Sequence, residues 1–362
     1  MTQAKDLTVC LFGYSEPEEG GRTWTVREGL AAHGVTVLSC QSARAGAFTK
    51  WRDLYQQWRT IKKEVDAVYV VFMGSYVMPL AWVLGRSARV PIVLDLLVSQ
   101  FDTEVTDRAR LSRHHPKAWL LWVVDFVAMW LADLVVVDTE AHQGYFAKHF
   151  WLSPKKTVVV PVGCRQDIFV PQPETPARDE WIVEFHGTYI PLQGVEYIID
   201  AAHLVEAKDA SVRFELTGDG QTRAAVEAHA KALHLHNVRF FNRTSLRGLA
   251  ERVAQADLCL GIFGRTPKAI RVIPHKVYEC LSCGKPTITE DSPAVRKLLH
   301  HLDGIYIVPP GDAAALADAI LSLKNDAALR LALAARAREL TTTRLTPRVF
   351  THALVAWLEQ RT

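Results

Sequence analysis

Short apolar runs alternate with stretches of helical periodicity along the whole chain. The runs are apolar throughout, which is typical of strands buried on both faces of a parallel sheet. A first series of predicted strands comprises Leu7–Phe12, Thr36–Ser39, Ala67–Phe72, Pro91–Leu97, Leu134–Asp138 and Thr157–Val162. A second series comprises Ile182–His186, Val212–Thr217, Val238–Phe241, Leu258–Phe263, Pro286–Thr289 and Ile305–Val308. The pattern therefore predicts an α/β protein built from two βαβ domains.

A polar, proline-rich stretch separates the two series of strands. Residues Phe169–Asp179 contain three prolines and have the composition of a linker. We therefore predict an N-terminal domain over residues 1–168 and a C-terminal domain over residues 169–345. Residues 346–362 hold a last helix, about Pro347–Gln360, which we expect to pack back at the domain junction. Two such domains would leave a cleft between the carboxyl ends of their sheets, where ligands of open α/β folds bind.

One predicted helix, Ala118–Ala132, is unusually apolar. Asp125 is its only charged residue, and tryptophans and other large apolar side chains cover much of its circumference. It is shorter than the roughly 20 residues that a membrane-spanning helix needs. The helix is therefore either buried in the first domain or lies at a membrane surface, where the cations before it would meet anionic headgroups. These cations are Arg108, Arg110, Arg113 and Lys117.

The composition is that of an ordinary globular protein. Hydrophobic residues make up 49% and charged residues 22% of the sequence, and the net charge of +3 is too small to indicate a nucleic-acid partner. The polar start, Met1–Asp6, and the short apolar run after it do not match a secretory signal. The six scattered cysteines fit small core residues of a reduced, cytosolic protein. Cys280 and Cys283 have the spacing of a zinc-ligand pair but lack a second pair, so we predict no metal site.

The segment Arg265–Thr289 holds the most specific chemistry in the chain. The predicted strand before it runs into a basic loop, and a helix then begins near Pro274 and carries Lys276 and Glu279 on one face. Loop amides and cations beside a helix N-terminus can hold phosphates, and a carboxylate one turn inside the helix can accept bonds from neighbouring sugar hydroxyls. The combination indicates a nucleotide-sugar site. Taken alone, Lys276 and Glu279 would also fit a surface ion pair at i, i+3.

Three further motifs extend this interpretation across the second domain. Phe185–Ala202 has the pattern of a strand, a glycine turn, a loop and a helix; Leu216–Gly220 ends the next strand in a second glycine turn; and Ala256–Gly261 precedes the basic segment. In this order and spacing, the domain resembles the nucleotide-binding half of retaining glycosyltransferases of family 4, which have the GT-B fold. The loop Gly20–Arg22, before the first predicted helix, resembles that family's glycine loop. The resemblance covers nearly the whole chain and implies two Rossmann-like domains that face each other across a cleft.

The resemblance also implies a reaction and a set of site residues. The reaction is a metal-independent transfer from a nucleoside-diphosphate sugar, with retention of the anomeric configuration and no cofactor beyond this co-substrate. The C-terminal domain would bind the donor, and the N-terminal domain the acceptor. The donor-binding residues are then Gly187, Thr188, Gly218, Gly220, Lys268, Arg271, Pro274, Lys276 and Glu279. The acceptor or sugar-binding residues are Gly20, Gly21, Arg22 and Asp102, and the catalytic candidates are Asp95, Lys268 and Arg271.

The chain departs from the family pattern at the expected phosphate cations. The family usually has a Glu-x7-Glu pair; Glu279 matches its second member, whereas Arg271 stands at the first. The family also has an Arg and a Lys in the loop after the first strand of this domain, near positions that hold Thr188 and Gln193 here. We therefore hypothesise a relocated phosphate clamp, formed by cations around the other loop. Its members are Lys268, Arg271 and Lys276, unless the first two are simply solvated loop charges.

The first domain departs from the family pattern as well. Leu97 occupies roughly the place of a His that many relatives carry just past this strand, and Asp95, Asp102 and Glu104 are the nearby polar alternatives for contacting sugar hydroxyls. Three carboxylates within Glu16–Glu19 precede the glycine loop and would repel a phosphate, which favours the acceptor at this rim. In the second domain, His186 either touches substrate or is a satisfied structural histidine.

Other functions of βαβ chains fit less well. Phe12–Pro17, after the first strand, has one glycine and then a carboxylate and a proline, unlike a dinucleotide-binding fingerprint. No Gly-x4-Gly-Lys-Ser/Thr loop occurs, which disfavours a P-loop NTPase. A sugar-nucleotide epimerase of the same fold and a non-catalytic nucleotide-sugar-binding protein remain alternatives. We expect a cytoplasmic glycosyltransferase, peripheral on the inner face of the membrane, that acts on a glycan or lipid-linked acceptor in cell-surface polysaccharide or glycolipid synthesis.

Overall fold

A computed structural model of the protein describes residues 7–14, 20–71, 73–172 and 180–362. The acidic residues Glu16–Glu19, Phe72 and most of the predicted linker lie outside the described residues. The chain divides into two compact units. The first comprises residues up to Val105, Ala109–Gly163 and Thr346–Thr362; the second comprises Thr106–Arg108 and Cys164–Leu345.

The first unit is built around a six-stranded parallel sheet. Its strands are β1 (Thr8–Tyr14), β2 (Thr36–Ser42), β3 (Ala67–Val70), β4 (Ile92–Asp95), β5 (Leu134–Val137) and β6 (Thr157–Val159). They lie in the order β2-β1-β3-β4-β5-β6. The helices of this unit are α1 (Gly21–Ala32), α2 (Ala47–Ile61), α3 (Met78–Ala88), α4 (Pro116–Leu131) and α5 (Glu140–Phe150). Every residue of β3, β4 and β5 is buried, as expected for parallel strands covered on both faces.

The second unit repeats this architecture. Its parallel strands are β7 (Trp181–Thr188), β8 (Val212–Asp219), β9 (Val238–Phe241), β10 (Leu258–Leu260), β11 (Thr287–Glu290) and β12 (Tyr306–Val308). They lie in the order β12-β11-β10-β7-β8-β9. The helices are α6 (Val195–Glu206), α7 (Arg223–Ala232), α8 (Leu246–Gln255), α9 (His275–Ser282), α10 (Pro293–Leu298), α11 (Ala313–Asn325) and α12 (Ala327–Thr343). The predicted fold class, α/β with two parallel sheets, is therefore confirmed.

The last helix, α13 (Pro347–Glu359), belongs to the first unit. Thr346 caps its N-terminus, since its hydroxyl accepts a hydrogen bond from the amide of Val349 at 3.2 Å. The helix packs so closely on α1 that a Cβ atom on Gly29 would lie 2.4 Å from the Thr351 side chain and 2.5 Å from the Pro347 carbonyl oxygen. A glycine at position 29 is therefore required for this helix contact.

Most predicted strand boundaries agree with the structure to within two residues. Two strands of the second unit are longer than predicted, because β7 and β8 continue side by side through Gly187 and Gly218. In contrast, β10 is three residues shorter than predicted: it ends at Leu260, and the chain from Gly261 onward forms a loop. This loop and the ends of β7 and β8 form the edge of the sheet where the candidate site lies.

Helix α4 has a buried face that carries a charge. The buried residues are Ala118, Leu121, Asp125, Ala128 and Met129. The Asp125 carboxylate accepts hydrogen bonds from the Ser99 hydroxyl at 2.7 Å and the Phe101 amide at 3.0 Å, so it holds the loop after β4. Burial is the main cause that raises the pKa of Asp125 to about 6. Among the described residues, no helix combines the length and the hydrophobicity that crossing a bilayer requires.

Candidate nucleotide-sugar site

The order of the second sheet places a topological switch point between β7 and β10. From β7 the chain continues to β8 on one side, whereas from β10 it continues to β11 on the other side. The connections therefore diverge, and the carboxyl ends of the two strands border a crevice of the kind in which open α/β sheets bind ligands. Two of the predicted motifs, the glycine turn after β7 and the basic loop after β10, start at this crevice.

The loops after β7 and β10 pack backbone against backbone. The Phe263 amide donates to the Gln193 carbonyl oxygen at 3.1 Å. A Cβ atom on Gly194 would lie 2.4 Å from the Phe263 carbonyl carbon, and one on Gly264 would lie 2.4 Å from the Leu192 oxygen. Leu192, Ile262 and Ala269 form a small buried cluster beneath the two loops. The basic loop is thereby fixed to the glycine turn, so both loops lie at the same edge of the sheet.

The structure requires glycine at the predicted positions for two different reasons. Gly218 lies against β7, where a Cβ atom would be 1.9 Å from the Gly187 oxygen, and a Cβ atom on Gly220 would be 2.5 Å from the Tyr189 oxygen. Both glycines therefore permit the close approach of neighbouring backbones, as a tight strand-to-helix connection requires. Gly187 differs, because a Cβ atom there would lie 2.7 Å from the Lys276 Nζ atom. The absence of a side chain at position 187 makes room for the Lys276 ammonium.

Lys276 is buried at the end of β7. Helix α9 begins at His275, after Pro274 in extended conformation, and its first turn directs Lys276 inward. The Nζ atom donates to the Gln193 side-chain oxygen and lies 3.6 Å from the centre of the Phe185 ring. Burial lowers the pKa of Lys276 to about 7, against the opposing attraction of Glu184. Lys276 thus contacts Gln193, the residue that was expected to replace a lysine of the family that the sequence resembles.

Glu279 lies one helical turn further along α9 and is held by His186. The His186 Nε2 atom lies 2.8 Å from a Glu279 oxygen, and its Nδ1 atom lies 3.0 and 3.1 Å from the two oxygens of Glu184. Burial opposes a charge on His186, but the two carboxylates outweigh it and raise its pKa to about 10. The protonated ring then donates from both nitrogens. Burial would raise the pKa of Glu279, but the hydrogen bond from His186 outweighs it and lowers this pKa.

The buried chain Glu184–His186–Glu279 answers two questions that the sequence left open. His186 is satisfied by two carboxylates, so the structural alternative for this residue fits the geometry. Glu279 does not form a surface ion pair with Lys276, because both side chains are buried and each has a different partner. Sequence reasoning missed Glu184, although a glutamate in the middle of an apolar strand is itself a signal that it has a buried partner.

Arg271 is the last residue of the short helical turn Ala269–Arg271, and Lys268 directly precedes this turn. Both are buried, with 6% and 9% of their surfaces exposed, so they are not solvated loop charges. The Arg271 amide donates to the Lys268 carbonyl oxygen at 2.9 Å, which closes the turn. Thr188 ends β7 at the same edge of the sheet. The roles of these residues in donor binding stay a prediction, as does the phosphate clamp.

In the first unit, the structure brings Arg22 and Asp95 together. The Arg22 guanidinium donates two hydrogen bonds to the Asp95 carboxylate, at 2.8 and 3.0 Å, and two more to the carbonyl oxygens of Val160 and Pro161. The Tyr69 hydroxyl donates to Asp95 at 2.7 Å. Burial opposes the charge of Arg22, but Asp95 outweighs it and raises the pKa of the guanidinium. Arg22 and Asp95 therefore hold each other at the carboxyl edge of the sheet.

A second buried polar group lies near this pair. His142, in the first turn of α5, contacts the Asp138 carboxylate through Nδ1, and its Nε2 atom lies 3.9 Å from an Asp102 oxygen. Burial would raise the pKa of Asp138, but His142 outweighs it and lowers this pKa. The predicted site residue Asp102 is thus fully buried beside a histidine that sequence reasoning missed. Gly20 and Gly21 lie at the start of α1, where Gly20 is the N-cap residue.

One group of side chains within the described part of the chain has the spacing of metal ligands. Donor atoms of Glu184, Cys259 and Cys280 lie within 4.8 Å of one another, and all three residues are buried. Both Glu184 oxygens lie within hydrogen-bond distance of His186, and burial holds the pKa of the Cys280 thiol well above its usual range. The Glu184 oxygens are thus already occupied by His186, and the Cys280 thiol keeps its proton. Cys283, the partner in the zinc-like spacing, is not part of this group.

Comparison with known proteins supports the interpretation of the second unit. Residues 168–340 match the family model described as glycosyl transferases group 1. A curated relative, the alpha-D-kanosaminyltransferase of Streptomyces kanamyceticus, is 27% identical over 163 residues, which are 45% of this chain and 41% of the relative. The chain therefore spans less than half the length of this relative.

Solved structures with the same fold cover nearly the whole chain. Sucrose-phosphate synthase from Thermosynechococcus elongatus has a TM-score of 0.73 at 17% identity and covers 98% of both chains. Anabaena HepE, solved in complex with UDP-glucose, has a TM-score of 0.70 at 17% identity, over 97% of this chain and 99% of that protein. These likenesses confirm the predicted GT-B type of α/β fold. The protein thus has the fold of these glycosyltransferase structures and is similar to group 1 glycosyl transferases over its second unit.

Proposed function

We propose that the protein is a retaining, metal-independent glycosyltransferase of family 4. It moves a hexosyl or related sugar from a nucleoside-diphosphate sugar to a hydroxyl of a glycan or lipid-linked acceptor. One observation carries this proposal: α9 presents a buried ammonium, Lys276, and a buried carboxylate, Glu279, one turn apart at the switch point of the second sheet. A diphosphate and a ribose are neighbouring groups in every nucleotide-sugar donor.

Lys276 is the residue that we assign to the diphosphate. It is held by Gln193 and the Phe185 ring, and its ammonium occupies the space that a side chain at position 187 would fill. Its pKa of about 7 means that a bound anion would draw a proton onto it, because the diphosphate favours the charged form. Lys268 and Arg271 are assigned to the same clamp, since the turn that holds them packs on the loop after β7. Such fixed cations would supply the charge stabilisation that a divalent metal supplies elsewhere.

Glu279 is assigned to the ribose hydroxyls. His186 keeps the carboxylate ionised and occupies one of its oxygens. Within the described part of the chain, the structure gives this carboxylate no second hydrogen-bond partner. An ionised carboxylate that is already oriented accepts a hydroxyl hydrogen bond without a further ordering cost. The solved HepE complex with UDP-glucose makes uridine nucleotides the first donors to test.

The transfer step can be written from these assignments. The bond between the anomeric carbon and the leaving phosphate oxygen breaks, while the acceptor oxygen bonds to the anomeric carbon on the same face. The acceptor proton passes to the departing phosphate, whose growing negative charge is stabilised by Lys276 and the basic turn. Asp95 was a catalytic candidate, but its bonds to Arg22 and Tyr69 favour a positioning role in the acceptor unit. Gly20, Gly21, Arg22 and Asp102 remain the proposed acceptor-side residues.

We further propose a cytoplasmic location at the inner face of the membrane and a role in cell-surface polysaccharide or glycolipid synthesis. The named relative transfers a sugar, so neither the epimerase nor the non-catalytic binding protein is favoured. An epimerase would release a free sugar or an epimerised donor without an acceptor. A binding protein would retain the donor unchanged.

The experiment is a thermal-shift panel followed by a turnover assay. Uridine, guanosine and adenosine diphosphates and their sugars are added to the full chain, and a donor at 100 times its Kd stabilises the fold by about 2.7 kcal/mol. We expect one nucleotide class to raise the Tm, and Lys276→Gln and Glu279→Gln to reduce this rise. Release of the nucleoside diphosphate must then require an acceptor. A panel without any shift, or product formed without an acceptor, would overturn the proposal.

A further inference from the structure

The outward face of α4 is apolar where a surface helix is normally polar. Its exposed residues include Trp119 at 67%, Leu120 at 55%, Val127 at 37% and Trp130 at 69% exposure. At 100° per residue these four positions fall within one quarter to one third of the helix circumference. Surface helices of globular proteins carry charged residues on this face, so four large apolar side chains in one stripe require an explanation.

Trp151 extends this stripe beyond α4. It follows the end of α5 and is 75% exposed. Its ring stands edge-on to Trp122 at 5.8 Å and to Phe126 at 6.3 Å, and Trp122 stacks on Phe126 at 5.1 Å. The backbone of Trp151 is left-handed, with a φ of 53°, which is uncommon for a bulky side chain. We call the surface formed by Trp119, Leu120, Val127, Trp130 and Trp151 the aromatic face.

Cations border the aromatic face at both ends. Arg113 and Lys117 precede or begin α4, and Lys148, Lys155 and Lys156 flank Trp151 in the sequence. The Lys156 ammonium donates to the Trp130 carbonyl oxygen at 2.9 Å, which places a cation directly beside an exposed tryptophan. Residues 110–117 and 148–156 contain no aspartate or glutamate. These two segments therefore carry only basic charges, and Asp133, whose charge acts on Lys156, is paired with Arg86 at 2.6 Å.

We propose that the aromatic face docks on a membrane leaflet that carries anionic headgroups. Tryptophan rings are favoured at the level of the headgroups, and a basic border is attracted to anionic lipids. With 16 residues, α4 is shorter than the roughly 20 needed to span a bilayer, so it lies in the plane of the interface. This surface deepens the proposed function by naming where the enzyme meets a lipid-linked acceptor.

The test is co-sedimentation of the full chain with vesicles, which requires no sugar transfer. Vesicles contain phosphatidylcholine alone or phosphatidylcholine mixed with phosphatidylglycerol. We expect binding to the anionic vesicles, weakened by salt, and little binding to the neutral ones. The variant Trp119→Ser/Trp130→Ser/Trp151→Ser should lose at least about tenfold in affinity. The matched control, Phe48→Ser/Leu331→Ser, removes side chains that are 82% and 65% exposed elsewhere and should bind like the wild type.

A second variant tests the basic border separately. The variant Lys117→Gln/Lys148→Gln/Lys155→Gln should lose about fivefold in affinity for anionic vesicles per lysine removed, since each cation near an anionic surface strengthens binding by about this factor. The oligomeric state of the wild type and of both variants is measured by sedimentation velocity. Three results would overturn the proposal: no binding of the wild type to anionic vesicles, equal binding of the tryptophan variant, or a wild-type dimer without vesicle binding that the tryptophan variant separates. The last result would make the face a contact between two copies. Because donor binding is measured independently, the docking surface and the proposed function can fail separately.

Discussion

Replacing His186 by glutamine tests the buried chain that holds Glu279. The wild-type ring is the cation between two buried carboxylates, with contacts of 3.0 Å to Glu184 and 2.8 Å to Glu279. Glutamine can still donate a hydrogen bond, but it carries no charge. The two carboxylates then lose the cation that compensates them, and one of them must take up a proton or remain charged in a buried environment.

Two estimates give the size of this effect. A histidine whose pKa rises from 6.5 to about 10 on folding stabilises the protein by at most about 5 kcal/mol. Independently, removing one partner of a buried ion pair typically costs about 3–5 kcal/mol. We therefore expect His186→Gln to lower the free energy of unfolding by roughly 3–5 kcal/mol at pH 7, a large share of the stability of a typical domain.

The sign of the pH dependence follows from the same pKa. Because folding raises it, the contribution of His186 is fully present below pH 6.5 and is lost as the pH rises through 10. Urea unfolding between pH 6 and 10 should therefore show a steeper decline in the wild type than in the His186→Gln variant. The matched control is His229→Gln, which breaks the 2.6 Å contact with Asp200 on the surface. That exposed pair should contribute no more than about 1 kcal/mol.

A double variant keeps the test decisive if His186→Gln unfolds. Glu184→Gln/His186→Gln removes one carboxylate together with the cation, so it should recover part of the lost stability. It should also retain weak nucleotide binding, because Glu279 remains with a neutral neighbour. The reasoning is refuted if His186→Gln is as stable as His229→Gln, or if the double variant is less stable than the single one.

Three other changes have defined outcomes. Lys276→Gln should weaken binding of the nucleoside diphosphate by about 30-fold in calorimetry, whereas the control Lys285→Gln, just past α9, should leave binding unchanged. The affinity of the wild type for the nucleoside diphosphate should fall as the pH rises above 7, because Lys276 with a pKa of about 7 loses its charge. Glu290 is fully buried with no partner for either oxygen among the described residues, and burial raises its pKa to about 8. The stability of the wild type should therefore decline from pH 4.5 towards pH 8. Glu290→Gln should remove this decline, which amounts to up to about 5 kcal/mol in urea unfolding. Gly29→Ala should lower the Tm, because its Cβ atom would collide with α13, whereas Gly144→Ala, a helix position with nothing within 4 Å, should leave the Tm unchanged or raise it.

The repeating pattern of apolar runs was sufficient to predict the fold. Parallel strands such as β3 and β5 are buried on both faces, so their sequences are apolar throughout and stand out from the helices. The ends of β7 and β8 were missed because Gly187 and Gly218 look like turn residues, although they pair within the sheet. Such pairing depends on the neighbouring strand, which local sequence does not specify.

The candidate site was predictable only in part. Lys276 and Glu279 are recognisable because they share one short helix with a defined start at Pro274. Their partners are distant in the sequence: Gln193 lies 83 residues from Lys276, and His186 lies 93 residues from Glu279. These contacts follow from the order of the strands in the sheet, and no local spacing encodes them.

The first unit illustrates the same limit. Arg22 was assigned to the acceptor and Asp95 to catalysis, whereas the structure joins them in one buried ion pair across 73 residues. In contrast, the contact between Asp138 and His142 has a local i, i+4 spacing at the start of a helix. That spacing was the available signal for His142.

A crystal structure of the complex with the nucleotide that gives the largest thermal shift tests the central claim most directly. The account predicts a diphosphate oxygen within hydrogen-bond distance of the Lys276 Nζ atom and a ribose hydroxyl on the Glu279 carboxylate, with His186 still bonded to its other oxygen. A nucleotide bound away from the ends of β7 and β10, or a ribose that does not touch Glu279, would contradict it.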